Sequence, residues 1–207
     1  LSARTPEHDL PQPVPADFTR PIEAFSSRRS ARAERYPRLG NARYNGFGRW
    51  RESGVSETAA AEFGLDEATR ILGDVFAPWV QDLGLTIERL EFTPPPAAPA
   101  DWQPGATLRM AFSERLCRNG GIVCGQALMA LADTAMVIAI LAANRGFRPM
   151  TTVDQTTHFL KAVASSDVLA DARVVRLGRT MSFGRVTLFA AADNKPVAMV
   201  SSAFAML

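Results

Sequence analysis

Residues 127–143, "ALMALADTAMVIAILAA", constrain this chain more than any other stretch, because every position except Asp133 and Thr134 is apolar. With no Gly or Pro inside it, the run reads as a helix. Over residues 126–143 that helix would extend about 27 Å at 1.5 Å per residue. A membrane span needs about 20 apolar residues, and a carboxylate at its midpoint costs roughly 2.5–3.5 kcal/mol on insertion scales. The helix is therefore expected inside a folded domain, apolar on nearly every side and wrapped by protein instead of lipid.

The flanking segments supply the wrapping. Two strand-like stretches precede the helix, "LTIERLEFT" and "ATLRMAF", separated by the Pro-rich loop "PPPAAPADWQPG". In the first, Leu85 and Ile87 alternate and the pattern then slips to Leu90 and Phe92. Four more follow the helix: "MTTVDQTTHFLKAV", "DVLADARVVRLGR", "TMSFGRVTLFAAA" and "PVAMVSSAFAML". Upstream, Leu72, Val75, Phe76, Trp79 and Val80 recur at helical spacing and predict one amphipathic helix over residues 66–84, strained by Gly73 and Pro78. The order predicts an α+β domain whose mostly antiparallel sheet wraps one long buried helix. There are no internal repeats.

Residues 1–54 differ in kind. They are rich in Pro, Ser and Arg, keep no helical or strand period, and predict a disordered arm ahead of a domain over residues 55–207. Ordering such a segment would cost about 1–2 kcal/mol per residue in backbone entropy, so the arm is expected to be dispensable. Residues 1–51 carry a charge of +5 against a whole-chain net of +2, which leaves −3 for the rest. The basic excess thus lies outside the folding part, and a nucleic-acid partner is not expected. An Arg-rich tether to an anionic surface, a targeting segment, and a natural start near Val55 are the alternatives. Glu7, Asp9, Asp17, Glu23 and Glu34 argue against targeting, and residues 1–20 lack the apolar core of a signal peptide. Cys117 and Cys124 form neither a disulfide framework nor metal-ligand spacing, which points to a reducing, cytoplasmic compartment.

Asp133 needs a reason. Positions 129, 130, 136, 137 and 140, its neighbours one and two turns away, are all apolar, and no Lys or Arg stands one turn off. Burial should raise its pKa. Two readings are open from spacing alone: a carboxylate satisfied by backbone or a distant Arg, or a base or nucleophile in a cleft.

"GIVCGQALMALADTAMVIAILAA", followed by "TTVDQTTHFLKAV", "DVLADARVVRLGRTMSF" and a closing strand, resembles the PaaI-type hotdog thioesterases over residues 85–207. The resemblance implies a hotdog fold and hydrolysis of acyl-CoA thioesters without metal or organic cofactor. It also implies sites shared between subunits of a homodimer or dimer of dimers. It puts Asp133 at the nucleophile or general base, and Gly125 at the backbone N–H that holds the thioester oxygen. A helix N-terminus, with unpaired N–H groups and a positive dipole end, suits that task. The family's His-Gly-Gly is replaced here by Cys124-Gly125-Gln126, and its upstream Asn falls at Arg118, one step from Asn119. The Gln126 amide is the candidate to position water in their place; a solvated helix-start residue is the alternative. Thr152 matches a site hydroxyl that relatives draw from the partner subunit, and simple alternation puts it on one strand face with Asp154, Thr156 and His158. Arg176 and Arg179 around Gly178, with Lys161, are candidates for CoA phosphates, a solvated hairpin being the alternative for each. Met129, Met136 and Phe183 are expected to line the acyl site.

Four rival readings compete with hydrolysis at Asp133. One is a non-catalytic acyl-CoA-binding protein of the same fold. Another is a hydratase or dehydratase, which needs a His paired with an acid near the helix where this chain offers His8 and His158. The others are a Cys124 nucleophile with His158 as base, and a structural interaction protein. No Gly-x-Ser-x-Gly elbow, zinc-ligand spacing or Gly-rich phosphate loop is present.

Overall fold

The computed structural model describes residues 63–207, so the arm expected over residues 1–54 and the proposed domain start at Val55 lie outside the described residues. Pro78 divides the predicted first helix in two: α1 (Leu65–Asp74) and α2 (Pro78–Gln81). A residue before proline is pushed out of the helical region, and Ala77 sits at φ −58°, ψ 147° with Pro78 opening the next turn.

Strand β1 (Leu85–Glu91) pairs with β2 (Gly105–Met110), and the register shifts between Ile87 and Arg89. This bulge is the slip visible in the sequence. A 3₁₀ turn (Glu114–Leu116) and two short strands, β3 (Cys117–Arg118) and β4 (Ile122–Val123), then lead into α3 (Gly125–Asn144). The short pair carries too few residues for a periodic signal and was not expected. After α3 come β5 (Met150–Phe159), β6 (Val168–Arg176), β7 (Met181–Ala190) and β8 (Lys195–Met206).

The main sheet has six strands in the order β1-β2-β6-β7-β8-β5, every neighbouring pair antiparallel. It packs one face on α3, and the inward residues alternate along β6 and the central parts of β7 and β8: Val168, Ala170, Ala172 and Val174, then Val186 and Leu188, then Val200 and Phe204. Leu131, Ala135, Ile138 and Leu141 of α3 are buried in the same core. This is the hotdog fold, a sheet curled around one buried helix. The apolar run long enough for a membrane span is its core helix.

Helix and sheet approach closely at Gly184 on β7. A Cβ built there would overlap the Met136 sulfur and lie 3.0 Å from the Arg173 carbonyl oxygen. Gly184→Ala is expected to destabilise by roughly 1–3 kcal/mol, as overpacked cores do. Chemical denaturation should show part of that loss recovered in Gly184→Ala/Met136→Ala. Equal stability of wild type and Gly184→Ala would refute the close packing.

Phe183 was expected to line the acyl site beside Met129 and Met136. It points the other way: Ser182 and Gly184 face α3, so Phe183 between them is on the outer face, 40% exposed.

Candidate active site

Three contacts set how α3 lies against the edge strand β5. Thr152 Oγ1 donates to Asp133 Oδ1 at 2.8 Å, Gln155 Nε2 donates to the Met129 carbonyl at 3.2 Å, and a Cβ on Gly125 would meet the Phe159 ring at 3.0 Å. Helix position falls as strand position rises, so the two elements run antiparallel along a shared seam. Asp133 stands at one end of that seam and Gly125 at the other, about 12 Å apart for eight residues of helix.

The strand reaches this arrangement through a bulge. Pairing with β8 shifts between Thr152 and Asp154, leaving Val153 as the extra residue. The bulge reverses the facing of everything beyond it. Thr152 therefore shares the helix side with Gln155, Thr157 and Phe159, while Asp154, Thr156 and His158 are exposed on the other side. The expectation from plain alternation, which grouped Thr152 with Asp154, Thr156 and His158, is corrected by this one residue. The Thr152 hydroxyl also comes from the same chain as Asp133, where the resemblance drew it from a partner subunit.

Asp133 is half-buried at the middle of α3. Burial raises its carboxyl above the ordinary carboxylate range, and the Thr152 hydrogen bond offsets part of the rise. No cation pairs with it among the described residues. A carboxylate so held accepts protons readily and is correspondingly basic, whether toward a water or toward a carbonyl carbon.

Gly125 is the first residue of α3, and Cys124 before it supplies no side-chain cap. The first-turn N–H groups are therefore open to an incoming acceptor. The Phe159 ring lies against Gly125 where any side chain would crowd it. Gln126 is exposed on the helix surface beside this turn. The amide that does enter the seam is Gln155, which the sequence did not single out. Without the bulge it would have been assigned to the opposite face, and nothing in the spacing marks that bulge.

The basic candidates separate. Lys161 follows β5 at the Gly125 end and binds Asp193 at 3.2 Å. Arg176 and Arg179 flank the β6–β7 turn, next to the start of β5, where the Arg179 carbonyl accepts from Arg148. One chain therefore does not bring Lys161 together with Arg176 and Arg179. Cys124 and His158 are parted as well, since His158 is on the exposed face of β5. Among the described residues there is no cluster of ligands for a metal ion.

Residues 120–197 match the model of the thioesterase superfamily, a span that contains Gly125, Asp133, Thr152 and Gln155. Among solved structures, a proposed thioesterase from Silicibacter sp. TM1040 is 29% identical with a TM-score of 0.57, over 70% of this chain and 92% of that one. A conserved protein from Pseudomonas aeruginosa is 26% identical with a TM-score of 0.54, over 64% and 95%. Zebra fish thioesterase superfamily member 2, at 22% identity, shares the fold with a TM-score of 0.58 over 70% and 99%. No curated protein matches the chain. Over this span the chain is similar to the thioesterase superfamily, and its hotdog domain has the fold of these solved structures. That similarity points, at the family level, to a hydrolase acting on acyl thioesters.

Proposed function

We propose that this protein hydrolyses acyl-CoA thioesters in the manner of the PaaI-type enzymes, with Asp133 as nucleophile or general base and the Gly125 N–H as oxyanion donor. The observation that carries the reading is Asp133 itself: a carboxylate with no cation beside it among the described residues, set in an apolar core helix and tied across the seam to Thr152. A purely structural carboxylate would be satisfied by an ion pair or by several backbone donors.

The geometry also argues for two copies. A thioester carbon attacked at Asp133 cannot place its oxygen on the Gly125 N–H of the same helix, because about 12 Å separates them. Strand β5 is a sheet edge, and its outer rim is open to another strand. Antiparallel pairing of β5 with β5 of a second copy would bring the Thr152 end of one against the Phe159 end of the other. Each Asp133 then approaches the partner's Gly125. A homodimer, or a dimer of such dimers, is the expected assembly, and a monodisperse active monomer in light scattering would sink it. Such pairing also sets the β6–β7 turn of one copy at the Lys161 end of the other, so Lys161, Arg176 and Arg179 could meet CoA phosphates only across two copies. No metal or cofactor enters this chemistry, and the free thiols of Cys117 and Cys124 suit a reducing cytoplasm.

A screen of acyl-CoAs with a thiol-detecting reagent tests the proposal directly. Release of CoA by the wild type, lost in Asp133→Ala, supports it. Binding of acyl-CoA without release would replace it by the non-catalytic reading. The pH profile gives a finer test. Activity should rise with pH as Asp133 ionises, along a limb above the ordinary carboxylate range. Thr152→Val removes a hydrogen bond that favours the ionised form, so its limb should move to higher pH. A limb that stays put or moves to lower pH would show that Thr152 does not tune Asp133.

A further inference from the structure

Strand β5 presents ten residues along one edge of the main sheet. Open N–H and C=O groups on a long edge are a template for another strand. The irregularities of β5 lie at its ends. Val153 is the extra residue of the bulge near its start. Near its end the N–H groups of Leu160 and Lys161 both donate to the Val197 carbonyl. Between these points residues 154–159 pair with β8 one for one.

Two conditions fix how a second copy can pair with that straight run. A shared site needs both α3 helices on one face of the joined sheet, so opposed residues must face the same way. Gln155, Thr157 and Phe159 are inward and Asp154, Thr156 and His158 outward, and a slip of one residue would turn the partner's helix to the other face. The two-fold axis therefore passes through a residue and not between two. The second condition is chemical. Thr152, which holds Asp133, must meet the partner's Phe159, which lies against Gly125 of that copy. Only an axis at Thr156 does this. The bulge sets Val153 aside, so the row beyond Asp154 is Thr152, and the row beyond the partner's His158 is its Phe159. An axis at Gln155 or Thr157 moves that contact by two residues, about 7 Å of strand.

We infer that two copies pair along β5 with Thr156 on the axis, so that Asp154 of each stands directly opposite His158 of the other. The chemistry complements. Both side chains are exposed, and neither has a hydrogen bond or ion pair among the described residues. Their β8 neighbours, Ala203 beside Asp154 and Met199 beside His158, carry no charge to compete. Arg185 on β7 stands in the Thr156 row, beyond Ser201. An imidazole N–H donates to a carboxylate in either protonation state, and symmetry makes the contact twice. The inference rests on the shared-site reading and deepens it, naming the register and the pair of residues that selects it.

Cysteine scanning in the full-length chain tests the register. Gln155→Cys, Thr156→Cys and Thr157→Cys are each oxidised with copper–phenanthroline and run on a non-reducing gel. Wild type is the control for Cys117 and Cys124. A residue on the axis faces its own copy at about 4.5–5.5 Å between Cα atoms, inside the range a disulfide spans. Its neighbours on β5 are two residues out of step with their own copies, beyond that range. Thr156→Cys should therefore cross-link at least about tenfold faster than either neighbour. Faster cross-linking at position 155 or 157, or none in any variant, would overturn the register. A charge exchange reads the contact itself. An equal mixture of Asp154→Lys and His158→Glu, equilibrated and weighed by native mass spectrometry, holds equal numbers of mixed and unmixed dimers if these charges are not opposed. In this register His158→Glu alone sets two carboxylates against each other twice, and only the mixed dimer sets the introduced lysine against the introduced glutamate. Mixed dimers should then outnumber unmixed ones at least about threefold, and an even split would remove the Asp154–His158 contact. Neither readout needs turnover. Cross-linking of Thr156→Cys without hydrolysis of any acyl-CoA supports the register and ends the proposed function; hydrolysis with the faster cross-link at position 155 or 157 does the reverse.

Discussion

Asp133→Asn is expected to lower kcat on acyl-CoA by roughly 10²–10⁴-fold, the range of a positioned acid–base group, while leaving acyl-CoA binding intact. A loss well beyond that range would favour direct nucleophilic attack by the carboxylate. The same variant makes a second, independent prediction about stability. Asp133 has its folded pKa raised by burial, so the native state holds this proton more tightly than the unfolded chain does. Native stability therefore falls as pH rises from the unfolded value, about 3.9, through the folded one, and the full penalty persists above it. Asparagine keeps the shape and carries no charge. Asp133→Asn should accordingly melt no lower than wild type at pH 7, and the two should converge in acid, below both pKa values. Near wild-type turnover in this variant would end the catalytic assignment. A marked drop in melting temperature at pH 7 would show instead that the carboxylate stabilises the fold.

What the sequence made legible, and what it hid, follow from the range over which each signal acts. The core helix was readable because burial of most of α3 leaves an apolar mark on nearly all of its residues, and a lone carboxylate stands out against it. The slip in β1 was readable too, because Leu85, Ile87, Leu90 and Phe92 print the change of facing as a change of spacing. The bulge in β5 prints nothing. Both faces of that edge strand carry polar residues, Thr152 and Gln155 inward, Asp154 and Thr156 outward, so shifting the period by one leaves the pattern unaltered. Gln155, Thr157 and Phe159 were missed for this reason, and His158 was given a facing it does not have. Phe183 failed for a related one: a large apolar side chain was assumed to point inward, but Gly184 beside it holds the inward position against Met136. At Pro78 the signal was present and underweighted, since a proline inside a helical period more often ends a helix than strains it. The distribution of Lys161, Arg176 and Arg179 between opposite ends of the sheet depends on strand order, which no local pattern records.

Mixing two inactive variants should restore activity, and the amount restored identifies how the site is built. The first is Asp133→Asn. The second is Gly125→Pro, chosen because it deletes one N–H and little else. Proline is well tolerated at the first position of a helix, where the N–H has no intrahelical partner. Cys124 before it already adopts φ −70°, ψ 148°, a conformation that a following proline requires. The Phe159 ring is the nearest neighbour to a side chain there, so Gly125→Pro/Phe159→Leu serves as the control for crowding. Gly125→Pro alone should lose about 10²–10³-fold in kcat, as removal of an oxyanion donor does. If Asp133 of one copy works with Gly125 of the other, each mixed dimer contains one doubly damaged site and one intact site. Random pairing makes half of the dimers mixed, so an equal mixture refolded together should recover about a quarter of wild-type activity. A site confined to one chain would leave the mixture as inactive as its components, because every copy would still carry a damaged site. Full activity of Gly125→Pro by itself would remove the backbone donor from the mechanism and, with it, the reason for two copies to share the chemistry.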